Sequence, residues 1–193
     1  MTNGKFPVLN TRRLVLREFC TTDSAAVFDS LSQEAATKYI NRGPMQSLEE
    51  AEKLVEVRAS LFERGIGIRW AITLRENPEY LIGSCGYYKM DQGNHSVETG
   101  YDLHPTFWRQ GLMTEALTAV INFAYSDQFF FYLNRIQALT YVDNQASIGL
   151  LMKLGFREEG LRREAGYWEN QYHDLRSFSL LQRDWMWSNS EVK

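Results

Sequence analysis

Polar and apolar positions along the chain follow first one period and then another. Leu14-Val15-Leu16-Arg17-Glu18-Phe19 alternates and is rich in β-formers, which predicts a first strand. Thr22-Asp23 offers N-cap chemistry for a short helix over Ser24 to Leu31. Ser47-Leu48-Glu49-Glu50 has capping-box spacing and predicts a second helix to about Phe62, with Leu54, Val57, Leu61 and Phe62 as its apolar face. A meander of strands follows: Ile68 to Leu74, a turn at Asn77-Pro78, Leu81 to Lys89, a turn at Asp91-Gln92-Gly93-Asn94, and Ser96 to Leu103.

After Pro105 the period lengthens. Met113, Ala116, Leu117, Val120, Phe123 and Ala124 keep helical spacing. Arg135 to Val142 returns to strand. Ala146 to Leu154 reads as a short helix with Gly155 as its C′ residue. Phe156 to Arg163 and His173 to Arg183 predict a closing hairpin. The order β-α-α-β-β-β-α-β-α-β-β describes a mixed α/β fold around one sheet.

Composition narrows the function. The chain has 193 residues, 44% hydrophobic and 23% charged, which fits one domain. Its 21 basic and 24 acidic side chains leave a net charge of −3, so the surface has no broad attraction for nucleic acid or an anionic membrane. Cys20 and Cys85 lie far apart, and with only His95, His104 and His173 no metal-ligand spacing appears. The N-terminus lacks a signal peptide's apolar region, and no apolar run approaches the roughly 20 residues that cross a bilayer. These features predict reduced thiols and a cytoplasmic protein.

Two constellations carry chemistry. In the first, the strand Glu98-Thr99-Gly100-Tyr101-Asp102-Leu103 leads through His104-Pro105 to Trp108-Arg109-Gln110-Gly111-Leu112-Met113-Thr114 at a helix start. Free N–H groups and the helix dipole make such a start an anion site suited to phosphate. Gly111 allows close backbone approach and Arg109 can add a charge-assisted contact. An ordinary helix start with a surface arginine has the same pattern. In the second, Asn144 ends a strand and Ser147 lies one helical turn on. Both can face a crevice, or Asn144 can be simply an N-cap and Ser147 a surface hydroxyl.

Together these segments resemble the GNAT superfamily of N-acetyltransferases, in its RimJ/RimL-type branch of ribosomal-protein N-terminal acetyltransferases. The resemblance runs from about Leu9 to Trp185 and implies one domain over 1–193. It rests on Thr11-Arg12-Arg13-Leu14-Val15-Leu16-Arg17, Gly100-Tyr101, Trp108 to Ala116, Asn144-x-x-Ser147, Leu154-Gly155-Phe156 and Glu159-Gly160. The family's phosphate loop has the form Gln/Arg-x-x-Gly-x-Gly/Ala. Gly111 matches it, while Trp108 and Met113 depart from its first and last positions.

The resemblance implies a mostly antiparallel central sheet, flanked by helices, with a splay between the fourth strand (ending at Leu103) and the fifth (beginning at Arg135). Acetyl-CoA would lie there against Tyr101, Asp102 and Leu103. Its phosphates would meet the N–H groups of Arg109, Gln110, Gly111, Leu112, Met113 and Thr114. Its peptide-like arm would pair with the splayed strands and Asn144, with Ser147 near the sulfur. No metal is implied.

The implied reaction is direct attack of an amine on the thioester. An α-amine with pKa near about 8 is about a tenth neutral at pH 7, whereas a lysine near about 10.4 costs about 4–5 kcal/mol to deprotonate there. An α-amine therefore needs only a weak base or water. Glu98, which matches the catalytic glutamate of some relatives, is the candidate base; the other reading is a structural carboxylate. Ser147 is the candidate proton donor to the leaving thiolate. A glutamate that some RimL-like relatives use would fall at Gly166, so that base is absent. His104 reads as a surface histidine, and His173, near Tyr167, Trp168 and Tyr172, as a residue of the acceptor end.

The branch implies a protein or peptide N-terminal α-amine as acceptor. A small amine (amino acid, polyamine or antibiotic) is the alternative, and a polycationic one would need an acidic cleft, for which Glu49, Glu50, Glu52 and Glu56 are available. A non-catalytic acyl-CoA-binding module is the rival from another class. Monomer and homodimer both remain open.

Overall fold

The structure is a computed structural model that describes residues 4–190. Its sheet has eight strands, β1 (Leu9–Asn10), β2 (Leu14–Arg17), β3 (Ile68–Leu74), β4 (Asn77–Asp91), β5 (Ser96–Leu103), β6 (Arg135–Tyr141), β7 (Arg157–Trp168) and β8 (Gln171–Leu181). They lie in the order β1-β2-β3-β4-β5-β6-β8-β7. Neighbours are antiparallel except β5 and β6, which are parallel. The helices are α1 (Ser24–Leu31), α2 (Glu34–Thr37), α3 (Leu48–Glu63), α4 (Leu112–Ala124), α5 (Gln145–Lys153) and α6 (Gln182–Ser190).

Each face of the sheet buries its own apolar layer. Leu14, Leu16, Ile68, Trp70 and Ile72 pack with Leu117, Val120, Ile121 and Phe123 of α4 in the larger one. Phe19, Val27 and Leu31 pack with Ala51, Val55, Ala71 and Leu81 in the smaller one, under α1 and α3. Trp70 is fully buried and meets Phe6, Tyr87 and Phe123 edge-on, while its indole N–H donates to the Pro7 carbonyl at 2.7 Å. The six residues predicted as the core face of α4 are all buried.

The predicted elements are present, with local corrections. The first strand ends at Arg17, and Asp23 does not cap α1 with its side chain. Its buried carboxylate instead accepts from the Cys20 N–H and pairs with Arg17 at 2.7 Å, closing the turn before α1. Ser47 does cap α3, but the buried residues of α3 are Ala51, Val55 and Phe62, and Val57 faces solvent. The turn placed at Asn77-Pro78 falls at Arg75-Glu76, so that β4 starts at Asn77. The closing hairpin is longer than predicted, with its turn at Glu169-Asn170. β1, α2 and α6 were not anticipated. β1 makes the predicted fourth and fifth strands β5 and β6.

Candidate active site

Three residue pairs join β5 to β6: Ser96 with Arg135, Val97 with Ile136, and Glu98 with Gln137. Beyond them the strands part. β5 remains paired to β4 as far as Leu103, and β6 to β8 as far as Tyr141. The facing edges of Thr99–Leu103 and Ala138–Tyr141 thus have no strand partner among the described residues. This is the splay expected between these strands, and its open backbone groups can pair with a peptide-like chain.

The loop from β5 to α4 closes one end of the splay. Gly111 is the N-cap residue of α4 in the left-handed region, with φ 73°, and Arg109 is left-handed too, with φ 59°. Alternating left- and right-handed residues turn successive N–H groups to one side, and the first turn of a helix has none of its own carbonyls to pair with. Gly111 suits this conformation, whereas Arg109 holds it at a cost of about 1 kcal/mol.

The loop is braced in three ways. Glu115, in the first turn of α4, accepts from Thr11 Oγ1 at 2.6 Å and from the backbone N–H and Nε of Arg13, each at 2.7 Å. Burial pushes the Glu115 carboxyl up, but these hydrogen bonds outweigh it and hold it below its usual range. Arg13 Nη1 also donates to the Gln110 carbonyl at 3.0 Å. Finally, the Trp108 indole N–H donates to the Leu103 carbonyl at 2.7 Å, and the Gln110 side chain donates to the Thr106 carbonyl at 3.0 Å. The Trp108 departure from the family loop therefore has a structural use: the indole ties the loop to the end of β5.

Across the splay, the hydroxyls of Tyr101 and Ser147 lie 2.6 Å apart. Burial pushes the Tyr101 phenol up to about 12 against the opposing effect of the Ser147 bond, so it carries its proton at neutral pH. Asn144 is the N-cap of α5 and its Oδ1 accepts from the Ser147 N–H at 3.1 Å, which leaves its NH₂ to donate elsewhere. Glu98 sits where β5 and β6 part, with its carboxylate 2.9 Å from Lys89 Nζ. The splay thus brings Tyr101, Asn144 and Ser147 together on one side, while Glu98, which alternates with Gly100 and Asp102 along β5, belongs to the opposite side. Asp102 points to the other side, toward α3, so only its backbone remains for a ligand in the splay.

On that other side a cleft of about 710 Å³ lies among the splay, α3, the segment after α2 and the β7–β8 hairpin. Its α3 wall is Leu54 and Arg58 rather than the glutamates. Glu49 pairs with Lys53 in solvent, and Glu50 with Arg42, so α3 does not offer an acidic cleft. The Asp102 carboxylate is buried and bound by Arg58 Nη2 at 2.9 Å, Ser84 Oγ at 2.6 Å and Arg69. Burial pushes this carboxyl up, but the two guanidiniums and the hydroxyl more than reverse that and hold it low. Burial also lowers Arg58 to about 10.

Trp168 and Tyr141 line the cleft, and His173 packs against them. Trp168 stacks on His173 with ring centroids 4.0 Å apart, and Tyr141 packs against both. His173 faces Gly166 across the hairpin. A Cβ on Gly166 would lie 1.9 Å from the Trp168 ring. The indole fills the space a side chain there would need, which accounts physically for the missing glutamate. His104 is not at the surface as expected. It is buried, accepts from the Thr106 N–H at 3.2 Å and lies 3.0 Å from the Gln33 amide, so it caps the turn that follows β5. Among the described residues, no group of His, Cys, Asp and Glu is placed to hold a metal, and no helix is long and apolar enough to cross a membrane.

The chain has clear relatives. The profile of the acetyltransferase (GNAT) domain matches residues 13–157. An uncharacterized N-acetyltransferase, YoaA of Bacillus subtilis (strain 168), is 35% identical over 91% of this chain and 97% of its own length. The ribosomal-protein-serine acetyltransferase of Escherichia coli (strain K12) is 28% identical over 71% of this chain and 73% of its own length. Among solved structures, RimL, a ribosomal L7/L12 alpha-N-protein acetyltransferase in complex with coenzyme A, has the same fold, with a TM-score of 0.78 at 24% identity over 91% of this chain and 98% of that one. A working transferase, rather than a non-catalytic acyl-CoA-binding module, is what these relatives support. The chain belongs to the GNAT family and is an N-acetyltransferase.

Proposed function

We propose that the protein, as a single domain with a core over about residues 9–185, transfers the acetyl group of acetyl-CoA to the α-amine of a protein or peptide N-terminus. The observation that carries this reading is the parting of β5 and β6 after the Glu98–Gln137 pair, beside the left-handed start of α4. A pantetheine arm needs the first and a pyrophosphate the second. The ribosomal-protein-serine acetyltransferase relative supports a protein acceptor.

In this reading the N–H groups of Arg109 to Thr114 hold the phosphates, the backbone of Tyr101 to Leu103 flanks the arm, and the Asn144 amide donates to it. The acceptor's neutral amine attacks the thioester carbonyl, forming the C–N bond as the C–S bond breaks. Glu98, or water beside it, takes the amine proton. The thiolate takes a proton from Ser147, which is replenished from Tyr101, the hydroxyl 2.6 Å away. The high pKa of that phenol keeps it a donor throughout the working pH range.

The test is to incubate the protein with acetyl-CoA and peptides that carry both a free α-amine and an internal lysine, and to locate the acetyl group by mass spectrometry. Acetyl on the N-terminal residue is expected. Acetyl on lysine alone, or on small amines alone, would replace the reading.

A further inference from the structure

The acceptor cleft is electrostatically opposite to the rest of the molecule. The chain carries a net charge of −3, yet the cleft is lined by Arg42, Arg58, Arg69 and Lys89 against only Glu98 and Asp102. Lys89 is neutralised by Glu98 at 2.9 Å. Arg58 and Arg69 share the single carboxylate of Asp102, so one positive charge is left over in a largely buried place. Arg42 adds a third guanidinium, close enough to Arg58 to repel it, and its own partner, Glu50 at 3.3 Å, is half in solvent.

Hydrogen bonding shows the same surplus. Arg58 Nη1 and Arg42 Nε are buried donors with no partner among the described residues. A buried, unpaired donor is costly, and a buried guanidinium pair around one carboxylate stabilises little beyond what an apolar replacement would. Arg69 also reaches the splayed strand: its Nη1 lies 3.5 Å from where a Cβ on Gly100 would stand. Gly100 is two residues along β5 from Glu98, about 7 Å at the rise of a strand.

We propose that Arg42, Arg58 and Arg69 form an anion site that selects acceptors bearing a carboxylate close to the amine being acetylated. This rests on the proposed acceptor chemistry and names the substrate class within it. The ammonium end of such an acceptor meets Glu98, and its carboxylate meets the guanidiniums some 7 Å along β5, which is the reach of an acidic side chain at the second residue of a peptide. One surplus charge matches one carboxylate, and planar guanidiniums bind it by paired hydrogen bonds. The same site disfavours polycationic amines.

The test uses the full chain with acetyl-CoA and matched peptides whose second residue is Asp or Asn, together with free glutamate and its amide. Acid-bearing acceptors are expected to show about tenfold higher kcat/KM than their amides, mainly through KM, the scale of one charge-assisted hydrogen bond. Free glutamate separates a small-molecule source of the carboxylate from a peptide one. Arg42→Gln is expected to remove most of the preference while leaving acetyl-CoA affinity unchanged. It avoids the two arginines that hold Asp102, so it does not risk the fold. Arg42→Lys should restore part of the preference.

Equal kcat/KM for acid and amide pairs would overturn the site while leaving the acetyltransferase reading intact. A second readout is independent of turnover: calorimetry of the acetylated product peptides in the presence of coenzyme A. Tighter binding of the acidic product without turnover of any α-amine would keep the anion site and discard the N-terminal acceptor. Equal product binding would overturn the site.

Discussion

At the proposed phosphate end of the crevice, the residues that shape the loop, Arg109, Gly111 and Glu115, belong to one short stretch at the start of α4. At the proposed acceptor end, Asp102 meets Arg58, Arg69 and Ser84 across 44, 33 and 18 residues of sequence. The first end is backbone conformation presenting dipoles. The second is a set of buried side-chain charges held by tertiary packing. A binding site for an invariant cosubstrate can be made from backbone, whereas a site for a particular acceptor depends on side chains that different chains supply from different elements.

The largest effect expected from this contrast is on stability at the acceptor end. Asp102→Ala leaves two guanidiniums buried without their carboxylate and is expected to lower unfolding free energy by about 3–5 kcal/mol, measured by urea denaturation. The pH dependence has a definite sign. The folded Asp102 carboxyl is held below its unfolded value, so its contribution is fully present above about pH 4 and is lost as pH falls through the folded value. The variant should therefore lose part of the acid-side decline. An unchanged urea midpoint would mean that the triad is not the keystone of this end.

The next effect lies between the two ends. Ser147→Ala is expected to reduce kcat by about a hundredfold, the lower end of the range for a general acid, with KM for acetyl-CoA little changed. Tyr101→Phe should fall less, because water can re-protonate Ser147. Full turnover by Ser147→Ala would assign the thiolate's proton to solvent. Smaller still, Glu98→Gln is expected to cost about tenfold for an α-amine acceptor, since a weak base suffices, and more for a lysine acceptor. An unchanged rate and pH profile would leave Glu98 as the partner of Lys89 alone.

The smallest is at the phosphate end. Glu115→Gln weakens the tie to Thr11 and Arg13 and should cost about 1 kcal/mol of stability, with a few-fold weaker acetyl-CoA binding. If binding were unaffected, the tie would be a feature of the fold and not of the loop.

The same contrast explains what the sequence could show. Helices and strands with clean periodicity, such as α4 and β6, were legible because their burial follows a local repeat. Gly111 was legible because a single residue type meets a backbone need. Val57 was misplaced because the buried face of α3 runs through Ala51, Val55 and Phe62, and the small Ala51 is a weak signal of that face. Asn77-Pro78 reads as turn chemistry, but the tight connection falls just before it. The role of Thr11 and Arg13 had only the motif as a signal, because their partner Glu115 lies about a hundred residues away. Nothing local marks Arg58 and Arg69 as neighbours, or Trp168 as the group that fills the space beside Gly166.

The most direct test of the account is a calorimetric titration of the protein with acetyl-CoA beside Gly111→Glu. Among the described residues a new Cβ at Gly111 would meet only the tip of Arg13, at 3.7 Å, so the variant can fold at a cost of about 1 kcal/mol for its left-handed backbone while placing a carboxylate among the N–H groups proposed to hold the phosphates. Saturable binding by the protein is expected, with at least about a hundredfold weaker binding by a folded variant, the cost of a like charge in that position. Equal affinity in the two folded proteins would contradict it, because the phosphates would then have to be held somewhere other than the start of α4.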